Sequence, residues 1–224
     1  YAFNLNLSAW VGGIAMRYRL YSRLGVSKSN IAKILGLSLA TNWFGYMVIA
    51  GAVFSSGLVR MPPGWKLSSG ALQVVGVLLL LVSAGYLAAC QFSKRREWAI
   101  RGVEINLPSL RMAMLQLALG ALNWSLMAAV IFTLLPSKLD YPLVLGVLLI
   151  SAIAGVITHI PAGLGVLEAV FVALLQHEAS RGSLVAGLLA YRAIYFILPL
   201  LITLVMYLVV EAKAKSLRIA KKPS

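Results

Sequence analysis

The stretch His159-Ile-Pro-Ala-Gly-Leu-Gly165 interrupts an apolar run that extends over Leu143–Gln176. The run is too short for two full crossings of a bilayer, because each crossing of about 30 Å of hydrocarbon needs about 20 residues. Proline lacks a backbone N–H and glycine lacks a Cβ, so Pro161, Gly163 and Gly165 permit a tight bend. Unpaired backbone groups at membrane depth are tolerated only where protein or a watery cavity surrounds them. The segment therefore predicts a re-entrant hairpin of two half-helices that turns at Pro161–Gly165.

The rest of the chain also has the composition of a membrane protein. Of 224 residues, 61% are apolar and 12% are charged, and the mean hydropathy is +0.90. Soluble domains carry about 25% charged residues, so most soluble enzymes are excluded. Four uninterrupted runs are long enough to cross a bilayer: Ile31–Val59, Gly70–Phe92, Met112–Leu135 and Leu184–Val210. These features predict an all-α, polytopic membrane helical bundle.

The basic residues predict the orientation of the spans. The formal net charge is +14, but the Lys and Arg residues lie in short runs between apolar stretches, which argues against nucleic acid and for membrane-flanking loops. Residues 17–33, 94–111 and 211–224 hold five cations each, whereas the other loops hold four in total. Because cytoplasmic loops carry the Lys and Arg excess, we expect these three segments inside. The broken run then begins and ends on the outer side.

The first apolar stretch resembles the broken run in its organisation. Residues 1–24 are interrupted at Gly12-Gly13 and are followed by a full span, as the hairpin before Leu184 is. If this first element is a broken hairpin that starts and ends inside, the two halves are inverted copies, a recurring architecture of transporters. The alternative is that Gly12-Gly13 is only a helix-packing contact.

We expect a single transmembrane domain over residues 1–224 with a basic cytoplasmic tail at 211–224. The chain begins at Tyr1 inside an apolar stretch, without a positive segment and cleavage site. We therefore expect it to be a fragment that lacks its native N-terminus.

Two ionisable residues lie inside the apolar segments and are candidate site residues. Glu168 follows Gly165 by three positions, and Arg192 lies one to two turns into the last span. An ion pair between them would satisfy both charges in a low dielectric. One interpretation is a structural latch for the hairpin. The other is a cavity in which the charges bind a charged head group.

His159 and Arg17 allow two interpretations each. His159 precedes the break and could titrate or cap the helix end, or satisfy a backbone carbonyl. Arg17 follows Gly12-Gly13 and could bind lipid phosphates at the inner surface, or be an ordinary flanking cation. Asn42 and Asn123 are predicted to form interhelical hydrogen bonds.

The sequence lacks the usual signatures of an enzyme. It contains no P-loop, no Gly-x-Ser-x-Gly and no His-Glu-x-x-His motif. Its six carboxylates are dispersed, with no pair for acid and base work. The single cysteine, Cys90, provides neither a disulfide nor a zinc site. We expect no catalysis, no cofactor and no metal site.

Several motifs resemble one membrane-protein family. The segment Thr158-His-Ile-Pro-Ala-Gly-Leu-Gly-Val-Leu-Glu168 is similar to the turn of the lysylphosphatidylglycerol synthetase transmembrane-region family, which is flippase-like. The segment Ala190-Tyr-Arg192 with Pro199, and Gly13-Ile-Ala-Met-Arg17, extend the likeness. The chain resembles especially the stand-alone inner-membrane members of YbhN type. This resemblance implies lipid movement between leaflets of a bacterial inner membrane.

The leading hypothesis is an inner-membrane protein with a cytoplasmic C-terminus that translocates an anionic phospholipid or a related polyprenyl lipid or glycerolipid. Arg192 and the half-helix start after Gly165 would receive the phosphate, since a helix N-terminus favours anions. Glu168 would orient Arg192 or release it on protonation. The other predicted substrate-binding residues are Arg17, His159, Pro161, Gly163 and Gly165. The alternative is a scaffold that partners a lipid-synthesising enzyme and carries no lipid. The sequence does not define the oligomeric state.

Overall fold

The computed structural model describes residues 18, 21–22, 24–59, 61, 68–93, 97–100, 103–136, 138–160 and 163–208. Within them, five helices are long and apolar enough to cross a membrane. These are α1 (Lys28–Ser55), α2 (Ser69–Phe92), α3 (Leu110–Leu134), α4 (Tyr141–Thr158) and α6 (Arg181–Leu208). A shorter apolar helix, α5 (Val166–Leu175), lies between α4 and α6. The predicted polytopic helical bundle is confirmed.

Serine residues define where four of these helices begin. In each case the serine Oγ accepts a hydrogen bond from a backbone N–H in the first turn, which satisfies a donor that has no partner inside the helix. The four N-cap residues are Ser27, Ser68, Ser109 and Ser180. The helix starts are therefore encoded locally, at the polar edges of the apolar runs.

Two four-residue strands join the helices on one loop. β1 (Glu97–Ile100) pairs antiparallel with β2 (Val103–Asn106), with Glu97 opposite Asn106. The strands lie between α2 and α3 in the basic segment predicted to be cytoplasmic. This pairing was not predicted. Glu97–Ile100 does not alternate polar and apolar residues, and Val103–Asn106 alternates over four residues only, the minimum length for a strand signal.

Helix α1 lies at the centre of the bundle and packs against α2, α3 and α4. Its contact with α3 is a crossing of two glycines, and a Cβ added to Gly45 would lie 2.2 Å from Gly120 Cα. Small residues at helix interfaces let two backbones approach this closely in membranes. Tyr46 fixes the contact with α4, because its hydroxyl donates a hydrogen bond of 2.9 Å to Leu149 O.

Large apolar side chains cover the outside of the bundle. On α2, Val74 is 60% exposed and Leu81 is 62% exposed, and Val205 on α6 is 60% exposed. Apolar surfaces of this extent are rare on soluble monomers. These faces therefore lie against lipid in a membrane-spanning chain.

The break predicted in the fifth apolar run is confirmed. Helix α4 ends at Thr158, and His159 has a left-handed backbone with φ 54°. Gly163 and Gly165 also have positive φ, at 56° and 79°, and α5 begins directly after Gly165. Such conformations favour glycine because it has no Cβ. Pro161 lies outside the described residues.

The two arms of the hairpin differ in length, which the sequence did not indicate. At about 1.5 Å per residue, the 18 residues of α4 span about 27 Å, whereas the 10 residues of α5 span about 15 Å. The prediction of a half-helix is therefore correct for α5 only, and α4 approaches the length of a full span. Whether the hairpin re-enters the membrane stays a prediction.

The break in the first half of the predicted repeat lies outside the described residues. This applies to Gly12-Gly13 and to Arg17, and the basic tail at 211–224 is also outside them. The inverted repeat therefore stays a prediction.

Candidate functional site

The two charged residues of the apolar segments meet at the start of α5. Arg192 Nε donates a hydrogen bond to Glu168 Oε1, and Arg192 Nη2 donates a second, of 3.0 Å, to Glu168 Oε2. The side chains are only 11% and 17% exposed, respectively. Two parallel N–H···O bonds form the strongest geometry available to an arginine and a carboxylate. The ion pair predicted from the sequence is confirmed.

Arg192 also holds the turn of the hairpin. Its Nη2 donates a hydrogen bond of 2.8 Å to Gly163 O, in addition to the bond to Glu168. One guanidinium group therefore ties α6 both to the turn and to the first turn of α5. The left-handed backbone of Gly163 is part of this arrangement, because it sets the direction of the carbonyl.

Glu168 occupies the N-terminal turn of α5. A carboxylate there is stabilised by the partial positive charge of the helix N-terminus. The anion site expected at the helix start after Gly165 is thus already next to a negative side chain. An incoming phosphate would have to compete with Glu168 for Arg192.

A π-helical turn follows Arg192 directly. Residues Ala193–Ile197 have π-helical hydrogen bonding before α6 continues to Leu208. Turns of this kind are rare in proteins, and those that do occur are often found at functional sites. The turn brings Phe196 beneath the guanidinium, with Arg192 Cζ 5.7 Å from the ring centroid.

A cavity of about 300 Å³ opens beside the ion pair. Arg192 and Gly163 line one part of it, and Trp43 and Trp124 line another. Trp43 is 37% exposed, as expected if the cavity reaches the surface of the bundle. Binding cavities of this kind combine apolar walls with a few polar groups.

The cavity lies deep in the predicted membrane. Trp124 lies near the centre of α3, Trp43 near the centre of α1, and Arg192 near the centre of α6. If these three helices span the bilayer, the cavity is close to its midplane. The turn at Gly163 is at the same depth because Arg192 binds it.

Not every predicted site residue belongs to this group. Glu168, Arg192 and Gly163 are brought together, and Gly165 forms the N-cap of α5. His159 is exposed, and its Nδ1 lies 2.9 Å from Ile157 O, so its ring satisfies a backbone carbonyl. Pro161 and Arg17 lie outside the described residues.

One polar residue at the cavity differs from its prediction. Asn42 was expected to form an interhelical hydrogen bond through its side chain, but its backbone carbonyl does so, accepting a bond of 3.3 Å from Trp124 Nε1. The residue itself lines the cavity. The prediction for Asn123 is also wrong, because its amide lies 3.7 Å from Met127 Sδ in its own helix. In the sequence, Asn42 stood out only as a polar amide in the middle of an apolar run.

We also looked for a metal site among the described residues. In that part of the chain, no group of three or more His, Cys, Asp or Glu side chains is arranged to hold a metal ion.

The fold and the site thus define a polytopic helical membrane protein with a buried ion pair at a helix break. Residues 8–203 match the family model described as the lysylphosphatidylglycerol synthase TM region. The chain belongs to this family, and it is an integral protein of the bacterial inner membrane.

Two relatives show the extent of the likeness. The chain is 52% identical over 219 residues to the inner membrane protein YbhN of Escherichia coli, an alignment that covers 97% of this chain and 69% of YbhN. It is 29% identical over 198 residues to the uncharacterized protein slr0712 of Synechocystis, with coverage of 86% and 60%. The chain is therefore shorter than both relatives.

Proposed function

We propose that the protein moves an anionic phospholipid, or a related polyprenyl lipid or glycerolipid, between the two leaflets of the inner membrane. The observation that carries the proposal is the bidentate Glu168–Arg192 pair beside a cavity at mid-height of the helices. Arg192 is the residue that receives the lipid phosphate. The proposal assigns no catalytic chemistry to the chain.

The energetic argument is that charges inside a bilayer are expensive to keep. Ionisable residues in spans cost several kcal/mol unless they are paired or hydrated, and they often mark substrate pathways. A pair of well-packed apolar residues would join α5 to α6 at no such cost. A buried ion pair that borders a cavity therefore supports a role in binding as well as in packing.

The proposed mechanism is an exchange of partners at Arg192. A phosphate that enters the cavity offers the guanidinium the same planar, charged acceptors as a carboxylate. It replaces Glu168, and protonation of Glu168 favours the exchange because a neutral carboxyl binds arginine more weakly. Gly163 O remains as a fixed acceptor that keeps the guanidinium oriented.

The hairpin supplies the route in this proposal. We propose that α4 and α5 form a re-entrant hairpin whose turn lies at the depth of Arg192. The head group would then pass the midplane through the cavity while the acyl chains stay in the surrounding lipid.

The test separates a binding role of Arg192 from a latch. R192Q alone leaves Glu168 buried without its partner, which typically destabilises a fold by about 3–5 kcal/mol. The double variant E168Q/R192Q removes both charges, so we expect it to recover most of the thermal stability. If Arg192 binds phosphate, the double variant should be stable but should move no fluorescent anionic phospholipid in reconstituted vesicles.

The same vesicle assay provides a control variant and the results that would contradict the proposal. K138Q removes an exposed cation from the loop before α4 and should move lipid at the wild-type rate. A double variant with wild-type transport would show that the pair is only a latch. Wild-type protein that moves no lipid but co-purifies with a lipid-synthesising enzyme would contradict the proposal and favour the scaffold.

A further inference from the structure

The cavity has a polar residue that the ion pair does not use. Asn42 lines it together with Trp43 from α1, Trp124 from α3 and Ser151 from α4. The backbone carbonyl of Asn42 is occupied by Trp124 Nε1. Within the described part of the chain, its side-chain amide has no hydrogen-bond partner.

Asn42 is half-buried, so its amide keeps access to the space beside α1. Asparagine is a poor helix former, and in a membrane-spanning helix such an amide needs water or a ligand as a partner, because a polar group left without a hydrogen bond costs about 1–3 kcal/mol. Ser151 does not satisfy it, because the Ser151 hydroxyl donates to Val147 O in its own helix. The Asn42 amide is therefore placed to exchange hydrogen bonds with whatever fills the cavity.

The volume of the cavity limits what that ligand is. At about 300 Å³ the cavity lies at the lower end of ligand pockets, which measure about 300–1,000 Å³. A cavity of this size suits a small group, such as a phosphate joined to a glycerol, better than two long acyl chains. The cavity fits a head group and leaves the chains outside.

The hydrogen-bonding capacity of the lining favours one kind of head group. Among the described residues that line the cavity, Arg192 is the one with a charged side chain, and it is assigned to the phosphate. An ammonium donates hydrogen bonds but cannot accept one. A hydroxyl group donates and accepts, as the amide of Asn42 does.

Resting on the proposed function, we infer that Asn42 is a specificity-determining residue that binds the hydroxyl groups of the head group beyond the phosphate at Arg192. The protein then prefers phosphodiester lipids with a small hydroxylated head group. It discriminates against phosphatidic acid, which lacks a group for Asn42, and against phosphatidylethanolamine, whose ammonium cannot accept a hydrogen bond from Asn42.

The test compares three lipids in one assay. Wild type, N42A and N123A are reconstituted in vesicles with fluorescent phosphatidylglycerol, phosphatidic acid or phosphatidylethanolamine. We expect wild type to move phosphatidylglycerol fastest, and N42A to slow this lipid about tenfold, the equivalent of one hydrogen bond. Phosphatidic acid should move at the same rate in both. N123A, a matched mid-span amide bonded within its own helix, should behave as wild type.

Two results would overturn the inference while the proposed function stands. In the first, N42A slows the movement of all three lipids equally. In the second, the wild-type protein moves all three lipids at the same rate, although its transport still requires Arg192. If the wild type moves no lipid, the proposed function fails. The role of Asn42 is then tested by mass spectrometry of the lipids that the purified protein retains from an equal mixture of the three. Retention of phosphatidylglycerol over phosphatidic acid that N42A abolishes supports the inference, and equal retention overturns it.

Discussion

Arg192 combines two tasks that are usually given to separate residues. It neutralises Glu168 across two helices, and it binds the carbonyl of Gly163 in the turn. Both acceptors belong to the hairpin, so the position of the guanidinium and the position of α5 depend on each other. If the proposed exchange of partners takes place at Arg192, it would therefore also change the geometry of the break.

Gly163 gives a prediction at this scale. Its φ of 56° is unfavourable for a residue with a Cβ, although a Cβ there would meet no atom within 4 Å. Gly163→Ala should therefore lower the free energy of unfolding by about 1–2 kcal/mol through backbone strain alone. It should also slow lipid movement, because the carbonyl turns away from Arg192.

The measurement is thermal unfolding in detergent together with the vesicle assay. Gly85→Ala is the matched control, since Gly85 lies in α2 with no atom within 4 Å of an added Cβ and no positive φ. The free energy of unfolding of Gly85→Ala should equal that of the wild type or be slightly higher, because alanine favours a helix more than glycine does. Equal stability of the two variants would contradict the role given to the left-handed turn.

The candidate site was predictable as far as it depends on charge. Glu168 and Arg192 stand out because they are ionisable residues within apolar runs, and the low dielectric leaves pairing as the cheapest arrangement. Asn42 and Gly163 O could not be placed in the same way. Their roles depend on how α1 and the turn face the cavity, which hydropathy does not encode.

At the scale of elements, the crossing of α1 and α3 determines the shape of the bundle. Gly45→Ala should destabilise the fold strongly, because the added Cβ would lie 2.2 Å from Gly120 Cα and backbone atoms cannot yield as a side chain can. Overpacking typically costs about 1–3 kcal/mol, and we expect the upper part of that range from thermal unfolding.

Gly36 provides the control within the same helix. An added Cβ at Gly36 would meet nothing within 4 Å, so Gly36→Ala should be neutral or slightly stabilising. If Gly45→Ala unfolds at the same temperature as Gly36→Ala, the helices do not approach as closely as described.

The positions of the elements were predicted better than their ends. The run Ile31–Val59 corresponds to α1 but extends past it, because the helix ends at Ser55 and Gly57 adopts a positive φ of 70°. Hydropathy continues unchanged across this end, whereas backbone conformation does not. The π-helical turn at Ala193–Ile197 was equally hidden, since its composition is that of an ordinary span.

At the scale of the whole molecule, the predicted topology places both ends of the hairpin on the outer side. Lys138 precedes α4 and His177 follows α5, and both residues are exposed. In a C90A background, K138C and H177C should therefore react with a membrane-impermeant maleimide added outside intact spheroplasts. The physical reason is that α5 is too short to cross the bilayer.

Ser29, exposed at the start of α1, is the opposite control. S29C should react only after the membrane is permeabilised, as the excess of cations in residues 17–33 predicts. Labelling of K138C and H177C from opposite sides would mean that α4 crosses alone, and the re-entrant hairpin would then be wrong.

The π-helical turn after Arg192 contains a surplus residue in an otherwise α-helical element. If that surplus is released, the segment from Leu198 to Leu208 rotates by about 100° and shifts by about 1.5 Å relative to the segment above it. The C-terminal part of α6 would then turn relative to Arg192, which is held on the hairpin by Glu168 and Gly163 O.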